Sequence, residues 1–307
     1  MKKVLLLYGG MSTEHDVSLS SAKSILDNYD TNLFEITPVY VDKNNNWCLN
    51  NSKIDNIISF LKEFDIVFPI IHGYGGEDGK LAGLLDMFDI KYVGSGVLSS
   101  AIGMDKEIAK IIFNYLNIPT VPSYTIRNLK DIKKMPFSYP VIVKPANGGS
   151  SVGISKVNNK NELKEKVMEA FKYDNKVLIE KYIKARELEC AILKYKKLIV
   201  SDIGEIKSEN ELYDYEAKYI KKSNTIVPAN IPKNIKKIIQ EYSRRVFDFL
   251  DCKNLCRIDF FYNEENNKIY LNEINTLPGF TEISMYPKLM VNEKISYKNL
   301  ITYLLQE

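Results

Sequence analysis

The side chains whose types and spacing suit chemistry lie in one stretch near the end of the chain, residues 257–279. Its flanks, residues 255–262 and 268–274, are rich in the β-branched and aromatic residues that favour strands. A polar segment, residues 263–267, separates the flanks and favours a turn. The stretch is therefore predicted to be a β-hairpin.

The hairpin would present oxygen ligands on one face. Residues two apart in a strand point to the same side, so Arg257 and Asp259 point together, as do Glu273 and Asn275 on the other strand. Two carboxylates and an amide oxygen suit Mg²⁺ that also keeps waters and binds phosphate oxygens. The same spacing fits a half-exposed hairpin whose polar side chains face water, so the spacing alone leaves both interpretations open.

Length and composition indicate a globular protein of more than one domain. The chain has 307 residues, which is too many for one ordinary core. Hydrophobic residues make up 45% of the chain and charged residues 26%, so the chain is not a disordered one. The formal net charge of +3 is too small to indicate nucleic-acid binding, and no basic stripe is interleaved with aromatic residues.

Neither a membrane protein nor a secreted protein is expected. No apolar run approaches the ~18 residues of a spanning helix, and the run that follows the first lysines is too short for a signal peptide. The cysteines are few and scattered, so a cytoplasmic protein with reduced, structural thiols is predicted; they are Cys48, Cys190, Cys252 and Cys256. With only two histidines, a histidine-based zinc site is not expected.

An open parallel sheet with helices is predicted for a first domain, residues 1–96. Residues 4–8 form an apolar strand, a glycine pair forms a turn, and apolar residues with helical spacing follow, namely Ala22, Ile25 and Leu26. Ligands bind at the carboxyl ends of strands in such sheets, where Glu14 lies. Glu14 either receives a substrate ammonium or interacts with the helix dipole, and the local sequence favours the second interpretation.

Two glycine-rich loops follow in this domain, at residues 72–79 and 94–96. So many glycines after a strand indicate backbone that lies close to a ligand or to another loop. Neither loop completes the dinucleotide-binding fingerprint, and the chain contains no P-loop sequence. The sequence therefore lacks the usual motif of a dinucleotide-binding fold and the usual motif of a P-loop NTPase.

A second domain, residues 97–185, is predicted to carry a phosphate-binding loop. A helix over residues 99–116 contains Lys106, and a strand over residues 141–144 ends in Lys144. The glycine- and serine-rich segment 145–153 follows, and the N–H groups of such a loop can reach phosphate oxygens that Lys144 would neutralise. A hairpin turn beside an exposed lysine explains the same residues.

A third domain, residues 186–307, is predicted to contain a lid. Two strands precede a charged and aromatic segment, residues 205–228, whose length is more typical of an ordered lid than of a simple connection. A long amphipathic helix from Pro232 buries one stripe in the core, and the hairpin follows it. The whole chain is thus predicted to be a mixed α/β protein, α+β in part, of three domains.

Six motifs, in the same order along the whole chain, resemble those of the ATP-grasp ligases and, among them, the D-alanine–D-alanine ligase family. They are Gly9-Gly10-x-Ser12-x-Glu14-His15, His72-Gly73-x-Gly75-Gly76-Glu77-Asp78-Gly79, Lys144-Pro145 with Gly149-Ser150-Ser151-Val152-Gly153, Asp214-Tyr215-Glu216-Ala217-Lys218-Tyr219, Arg257-x-Asp259-Phe260, and Asn272-Glu273-x-Asn275 with Pro278-Gly279. The resemblance implies an ATP-grasp fold that holds the nucleotide between the central and C-terminal domains.

The resemblance also implies an activity, a homodimer and a set of site residues. ATP would convert the carboxylate of one D-alanine to an acyl phosphate, and the amine of a second D-alanine would attack it to give a peptidoglycan precursor. Two Mg²⁺ (Mn²⁺ being possible) would be held by Asp259, Glu273 and Asn275. ATP would be bound by Lys106, Lys144, Ser151, Glu180, Lys181, Ile183 and Glu187. The catalytic group would be Glu14, Ser150, Tyr219, Arg257 and Gly279, and the substrate-binding group His72, Lys218, Ser284 and Met285.

Two departures from the family pattern leave a choice of substrate open. The flap has Ala146-Asn147-Gly148 where bulkier or charged residues are usual, which should loosen it. Met285 replaces a leucine beside the second substrate, and methionine is adaptable, so a D-alanine–D-serine ligase is an alternative. A non-catalytic, nucleotide-binding ATP-grasp protein is the other alternative, although such a scaffold has no need of the full set of site residues.

Overall fold

The structure, a computed structural model, describes residues 1–149, 152–207 and 224–306. Within these residues, fourteen strands form three sheets, and nine α-helices and one short 3₁₀-helix pack around them. The predicted mixed α/β fold is confirmed. The α-helices are α1 (His15–Asn28), α2 (Ile57–Leu61), α3 (Lys80–Met87), α4 (Val97–Met104), α5 (Lys106–Tyr115), α6 (Lys160–Ala170), α7 (Lys233–Phe249), α8 (Met285–Asn292) and α9 (Tyr297–Gln306).

The first sheet is mixed and has the strand order β4-β3-β2-β1-β5, with β1, β2 and β5 parallel as predicted and β3 and β4 added as an antiparallel edge. Its strands are β1 (Lys2–Gly9), β2 (Phe34–Val41), β3 (Trp47–Leu49), β4 (Ser52–Lys53) and β5 (Ile66–Pro69). Strand β1 pairs in parallel with β2 and β5, and its apolar residues 4–7 are fully buried, as expected for a central parallel strand. The carboxyl ends of β1 and β5 therefore bring the Gly9-Gly10 turn beside the loop that contains His72.

The second sheet is antiparallel and has the order β6-β9-β7-β8. Its strands are β6 (Ser123–Ile126), β7 (Val141–Pro145), β8 (Ser155–Val157) and β9 (Val177–Lys181). Strands β7 and β8 flank the glycine-rich flap, so Lys144 lies near the end of β7 where the flap begins. Helix α6 packs on this sheet through Leu163, Val167 and Ala170.

The third sheet is antiparallel and has the order β12-β11-β10-β13-β14. Its strands are β10 (Arg186–Tyr195), β11 (Lys197–Lys207), β12 (Asn224–Ile226), β13 (Leu255–Asn263) and β14 (Lys268–Asn275). Helix α7 covers one face through its buried stripe, which includes Ile235, Ile239 and Val246. Strands β13 and β14 are the hairpin predicted from the sequence.

The helix predicted over residues 99–116 is divided into α4 and α5 at Asp105. The backbone of Asp105 is extended, and its carboxylate accepts hydrogen bonds of 3.1 Å from the N–H groups of Glu107 and Ile108. An aspartate N-cap of this kind begins a new helix, because it satisfies donors that lack an intrahelical partner. Lys106 therefore lies in the first turn of α5.

The largest apolar core joins the first sheet to the C-terminal helices. Val4 and Leu6 of β1 belong to the same buried cluster as Phe280, Tyr286 and Leu304. The segment before α8 is therefore fixed against the N-terminal part of the chain. The predicted domain boundaries, after residues 96 and 185, fall between the three sheets, and the division into domains stays a prediction.

Two other observations concern membrane-spanning helices and the state of the cysteines. In the described part of the chain, no helix has both the length and the apolar character that a membrane crossing requires. The four cysteines are all unpaired, as predicted, and three of them are buried. Cys252 and Cys256 have helix-like spacing, yet Cys256 lies on strand β13 and Cys252 precedes it.

Candidate active site

The register of the hairpin brings the predicted residues together. Asp259 lies opposite Glu273, and Arg257 lies opposite Asn275. The ladder is irregular immediately after Asp259, so the pairing changes by one residue between this end and the turn. The four side chains therefore share one face of the hairpin.

Arg257 organises the carboxylates on this face. Its Nε and Nη2 donate hydrogen bonds of 2.7 and 2.8 Å to the two carboxylate oxygens of Asp259. Its Nε also lies 2.9 Å from Oε2 of Glu189, a buried residue of β10 that sequence reasoning missed. Asn275 donates from Nδ2 to Oδ2 of Asp259 at 3.0 Å. Such charge-assisted bonds orient the guanidinium and fix the carboxylate of Asp259.

The face fits a hard divalent cation. Asp259 and Glu273 supply carboxylate oxygens with side chains only 13% and 22% exposed, and Asn275 adds an amide oxygen. Cations already lie against both carboxylates, since Lys106 Nζ is 3.6 Å from Glu273 Oε2 and Arg257 holds Asp259. No three histidine, cysteine, aspartate or glutamate side chains form a metal cluster within residues 1–149, 152–207 and 224–306. The candidate set therefore consists of two carboxylates and an amide.

Two lysines connect the second sheet and its flap to the hairpin. Lys106, at the start of α5, donates from Nζ to the carbonyl oxygen of Gly148 in the flap at 2.6 Å. Lys144, in β7, lies with its Nζ 3.4 Å from Oδ1 of Asn272. Both lysines are more than 90% buried. The two residues predicted to hold phosphate are thus brought together with the predicted metal ligands.

The side chain of Glu180 lies between two buried lysines. Its Oε2 is 2.9 Å from Lys144 Nζ, and its Oε1 is 2.7 Å from Nζ of Lys110 in α5. Burial raises the pKa of the Glu180 carboxyl, but the two ammonium groups outweigh this and bring the pKa down to about 2. Burial lowers the pKa of Lys110, and Glu180 opposes that effect. Sequence reasoning missed Lys110, although a lysine one turn after Lys106 in an apolar helix was a signal.

Three other residues predicted to contact the nucleotide lie near one another in the chain. Lys181 ends β9 with an exposed side chain, and its N–H donates to Pro122 at 3.0 Å. Ile183 is half-buried in the connection to β10, and Glu187 is half-buried near the start of that strand. Their roles toward adenine and ribose stay predictions.

Glu14 lies at the point where two glycine loops meet. Its side chain is buried, and it directly precedes α1. A Cβ added to Gly73 would lie 2.8 Å from Oε2 of Glu14, and a Cβ added to Gly149 would be closer still. Glycine at both positions therefore lets the loop after β5 and the flap approach the same carboxylate.

His72 is buried, and protein groups contact both of its ring nitrogens. Nδ1 is 3.0 Å from the carbonyl oxygen of Leu277, which can only accept, so Nδ1 carries the proton. Nε2 then accepts from the hydroxyl of Ser21 at 3.1 Å, and Ser21 Oγ accepts from the N–H of Phe280 at 3.2 Å. Burial lowers the pKa of His72, which keeps the ring neutral. The predicted substrate-binding histidine thus holds the turn that contains Gly279.

Two more side chains hold the same turn. Glu77 accepts from the N–H of Leu277 at 3.1 Å and from the N–H of Gly73 at 2.7 Å. Burial and the nearby Glu14 raise the pKa of the Glu77 carboxyl well above its usual range. Tyr297 donates to the carbonyl oxygen of Phe280 at 2.5 Å. The turn of residues 277–280 is therefore fixed on both sides of Gly279, largely by residues of the N-terminal part.

Of the remaining predicted residues, two are described by the structure and four are not. Ser284 precedes α8, and its Oγ lies 2.7 Å from Oγ1 of Thr281. The side chain of Met285 is buried in the core beside Gly204 and Leu289. Four predicted residues lie outside the described residues; they are Ser150, Ser151, Lys218 and Tyr219.

Solved structures with the same arrangement of sheets are ATP-grasp ligases. The VanG D-Ala:D-Ser ligase from Enterococcus faecalis superposes with a TM-score of 0.87 at 32% identity, with 99% of this chain and 98% of that chain covered. The D-alanine–D-alanine ligase from Bacillus anthracis, solved in complex with ATP, gives 0.82 at 30% identity over 100% of this chain and 97% of that chain. The chain thus has the ATP-grasp fold.

Sequence comparison identifies the family. Residues 3–60 and 50–95 match the family described as D-ala D-ala ligase N-terminus, and residues 108–306 match D-ala D-ala ligase C-terminus. The D-alanine–D-alanine ligases of Caldicellulosiruptor bescii and Acetivibrio thermocellus are each 42% identical, over 99% of this chain and 94% and 95% of those proteins. The chain belongs to the D-alanine–D-alanine ligase family.

Proposed function

We propose that this protein is an ATP-dependent, ADP-forming ligase that joins two D-alanines through an acyl phosphate. The observation that carries the proposal is the convergence of Lys106 and Lys144 on the hairpin face of Asp259 and Glu273. Phosphoryl transfer requires cations around the transferred group and little covalent chemistry from the protein, and this arrangement supplies them. The activity that relatives carry in their names supports the same conclusion.

Nucleotide would lie between the second and third sheets. Lys106 and Lys144 would contact its phosphates, with Ser151 of the flap, and Glu187 would contact the ribose. The segment of Glu180, Lys181 and Ile183 would face the adenine, partly through backbone groups. Asp259, Glu273 and Asn275 would hold two Mg²⁺, or Mn²⁺ in their place. When bound, these ions neutralise charge on the transferred phosphoryl group.

The first step would activate a carboxylate. Glu14 would receive the ammonium of the first D-alanine and orient it. A carboxylate oxygen of that D-alanine would attack the γ-phosphorus, the bond to the bridging oxygen would break, and ADP would leave. The product is an acyl phosphate, whose phosphate is a far better leaving group than the oxygen of a free carboxylate.

The second step would form the peptide bond. The amine of the second D-alanine, after losing a proton, would attack the acyl carbon, and the tetrahedral oxyanion would collapse with loss of phosphate. The N–H of Gly279 and the guanidinium of Arg257 would stabilise that oxyanion, because donors fixed before reaction need no reorganisation. Lys218 and Ser284 would hold the second carboxylate, and Met285 would border it. Glu14, Ser150 and Tyr219 would form a hydrogen-bonded group, with the lid over it excluding water.

The assay that tests the proposal measures ADP and phosphate release with D-alanine, D-serine, both or neither. Release that depends on D-alanine, together with formation of a dipeptide, is expected. Release with D-serine as second substrate would favour the D-alanine–D-serine alternative, which the name of one structural relative supports. Release that needs no D-amino acid, or no release under any condition, would overturn the ligase proposal. A cytoplasmic location and a homodimer are also proposed. Sedimentation tests the homodimer separately.

Gly149→Ala is expected to impair substrate binding. The added methyl group would meet the carboxylate of Glu14, so either the flap or Glu14 must move. A loss of at least about tenfold in kcat/KM for D-alanine, equivalent to ~1.4 kcal/mol, is expected from steady-state kinetics. Gly83→Ala in α3 is the control, because a Cβ there makes only an ordinary contact of 3.6 Å with Val97. Equal kinetics for the two variants would contradict the close approach of flap and Glu14.

Ser21→Ala is expected to lower kcat about fivefold with an unchanged KM for ATP. The variant removes the hydroxyl that links His72 to the N–H of Phe280, so the turn around Gly279 loses a fixed contact. A buried hydrogen bond contributes about 1 kcal/mol, which corresponds to a several-fold rate effect if it is felt in the transition state. Ser20→Ala, on the same helix but exposed, is the control. An unchanged kcat for Ser21→Ala would show that the turn is held without this serine.

A further inference from the structure

We propose that Lys110 is the counter-ion of Glu180 that leaves Lys144 available to bind nucleotide phosphate. The inference rests on the proposed function only in that Lys144 contacts phosphate. Lys110 would touch neither nucleotide nor substrate, so it is a positioning residue that acts through Glu180.

The geometry joins three buried charged groups from three elements. Lys110 extends from α5, and its Nζ lies 2.7 Å from Glu180 Oε1 and donates to the carbonyl oxygen of Val121 at 2.8 Å. Glu180, on β9, reaches Lys144 of β7 through its other oxygen at 2.9 Å. The side chains of all three are no more than 5% exposed. Two lysines therefore share one carboxylate, one on each oxygen.

The charges of this group do not cancel. Two ammonium groups face one carboxylate, so a positive charge is left over in a place that water reaches poorly. The carboxamide oxygen of Asn272, 3.4 Å from Lys144 Nζ, offers only a dipole toward it. A buried charge is costly unless it is paired, so an anion that approached Lys144 would gain the interaction this group lacks.

Lys110 also determines whether Glu180 keeps a cationic partner when Lys144 binds a phosphate. With Lys110 present, Glu180 keeps an ammonium 2.7 Å away after Lys144 has moved. Without Lys110, Glu180 and Lys144 would form a closed neutral pair. A phosphate would then compete with Glu180 for Lys144, and it would also meet the unshielded carboxylate, whose charge repels it.

The test compares ligands with and without phosphates. Calorimetry on the full chain without D-alanine measures Kd for ATP and ADP, and competition measures Kd for adenosine. Lys110→Met is expected to weaken ATP and ADP at least about tenfold, which is modest beside measured couplings of close charge pairs. Adenosine affinity is expected to be unchanged. Lys110→Arg, which keeps the charge, should bind ATP within about threefold of the parent protein, a difference well under 1 kcal/mol.

A double variant separates charge balance from damage to the fold. Lys110→Met combined with Glu180→Gln removes one cation and one anion, so Lys144 again carries the leftover charge. Glu180 is itself proposed to face the adenine, so the readout is the ratio of ATP affinity to adenosine affinity. This ratio is expected to recover to within about threefold of the parent ratio. Lys164→Met, on the exposed face of α6, controls for the loss of one positive charge. Thermal unfolding of each variant shows which ones are folded.

The possible outcomes separate this inference from the proposed function. Three results would each overturn the role of Lys110. The first is that Lys110→Met weakens the binding of ATP and of adenosine equally, and the second is that it leaves ATP affinity unchanged. The third is that the double variant does not recover the parent ratio of ATP affinity to adenosine affinity. If Lys110→Met does not fold, a folded double variant whose ratio of ATP affinity to adenosine affinity stays below the parent ratio would overturn it as well. A parent protein that binds no ATP would instead overturn the proposed function itself.

Discussion

Glu273→Ala is expected to lower the rate of ADP release by about a thousandfold or more while the protein stays folded. Glu273 supplies a carboxylate of the candidate metal face, and its side chain is 22% exposed. Its loss would remove a proposed Mg²⁺ ligand and the carboxylate beside Lys106. Several kcal/mol of charge stabilisation in the transition state corresponds to a rate factor of this size.

The measurement is steady-state ADP release at saturating D-alanine, repeated over a range of Mg²⁺ concentrations. Glu265→Ala, in the exposed turn of the same hairpin, is the matched control and should retain the parent rate. A raised requirement for Mg²⁺ in any residual activity of Glu273→Ala would agree with a ligand role. Near-normal turnover in Glu273→Ala would show that the metal assignment is wrong.

Arg257→Ala is expected to lower dipeptide formation by about a hundredfold to a thousandfold, the range seen when one oxyanion donor is removed. The same change leaves the carboxylates of Asp259 and Glu189 without the guanidinium that now pairs with both. Breaking a buried pair by removing one partner costs about 3–5 kcal/mol, so the free energy of unfolding is expected to fall as well. Because Asp259 is 13% exposed, the fall in the free energy of unfolding should lie toward the lower end of that range.

The two effects of Arg257 are separable. Arg257→Lys keeps the positive charge but cannot make the paired bonds to Asp259, so stability should largely return while dipeptide formation stays slow. Arg244→Ala, an exposed arginine of α7, is the control. Dipeptide formation and unfolding by denaturant are measured on all three variants. Dipeptide formation at the parent rate in Arg257→Lys would refute a role for the guanidinium fork in the oxyanion site.

The parts of the site that the sequence predicts are those set by local periodicity. The alternation of residues along the hairpin puts Arg257, Asp259, Glu273 and Asn275 on one face, and the register confirms it. The apolar run of β1, followed by two glycines and a helix, predicts the first strand and α1 in the same way. In both cases neighbours in the sequence decide the geometry, so no knowledge of distant contacts is needed.

The parts that were missed depend on partners far apart in the chain. His72 contacts Leu277 across 205 residues, and no local pattern indicates that its ring holds the turn around Gly279. Glu189 and Lys110 lie on apolar elements, where a charged residue shows that a partner must exist but not which one. The break between α4 and α5 was missed because the apolar periodicity continues across Asp105, whose cap begins a new helix.

Three oxygen side chains on β13 and β14 are proposed to hold magnesium against the terminal phosphate of ATP. The most direct test of this arrangement is a crystal structure with a non-hydrolysable ATP analogue and Mg²⁺. Oxygens of Asp259, Glu273 and Asn275 are expected to lie about 2.0–2.1 Å from metal ions that also contact the terminal phosphate. Nucleotide bound in the cleft with these three side chains facing bulk solvent, away from any ion or phosphate, would contradict it.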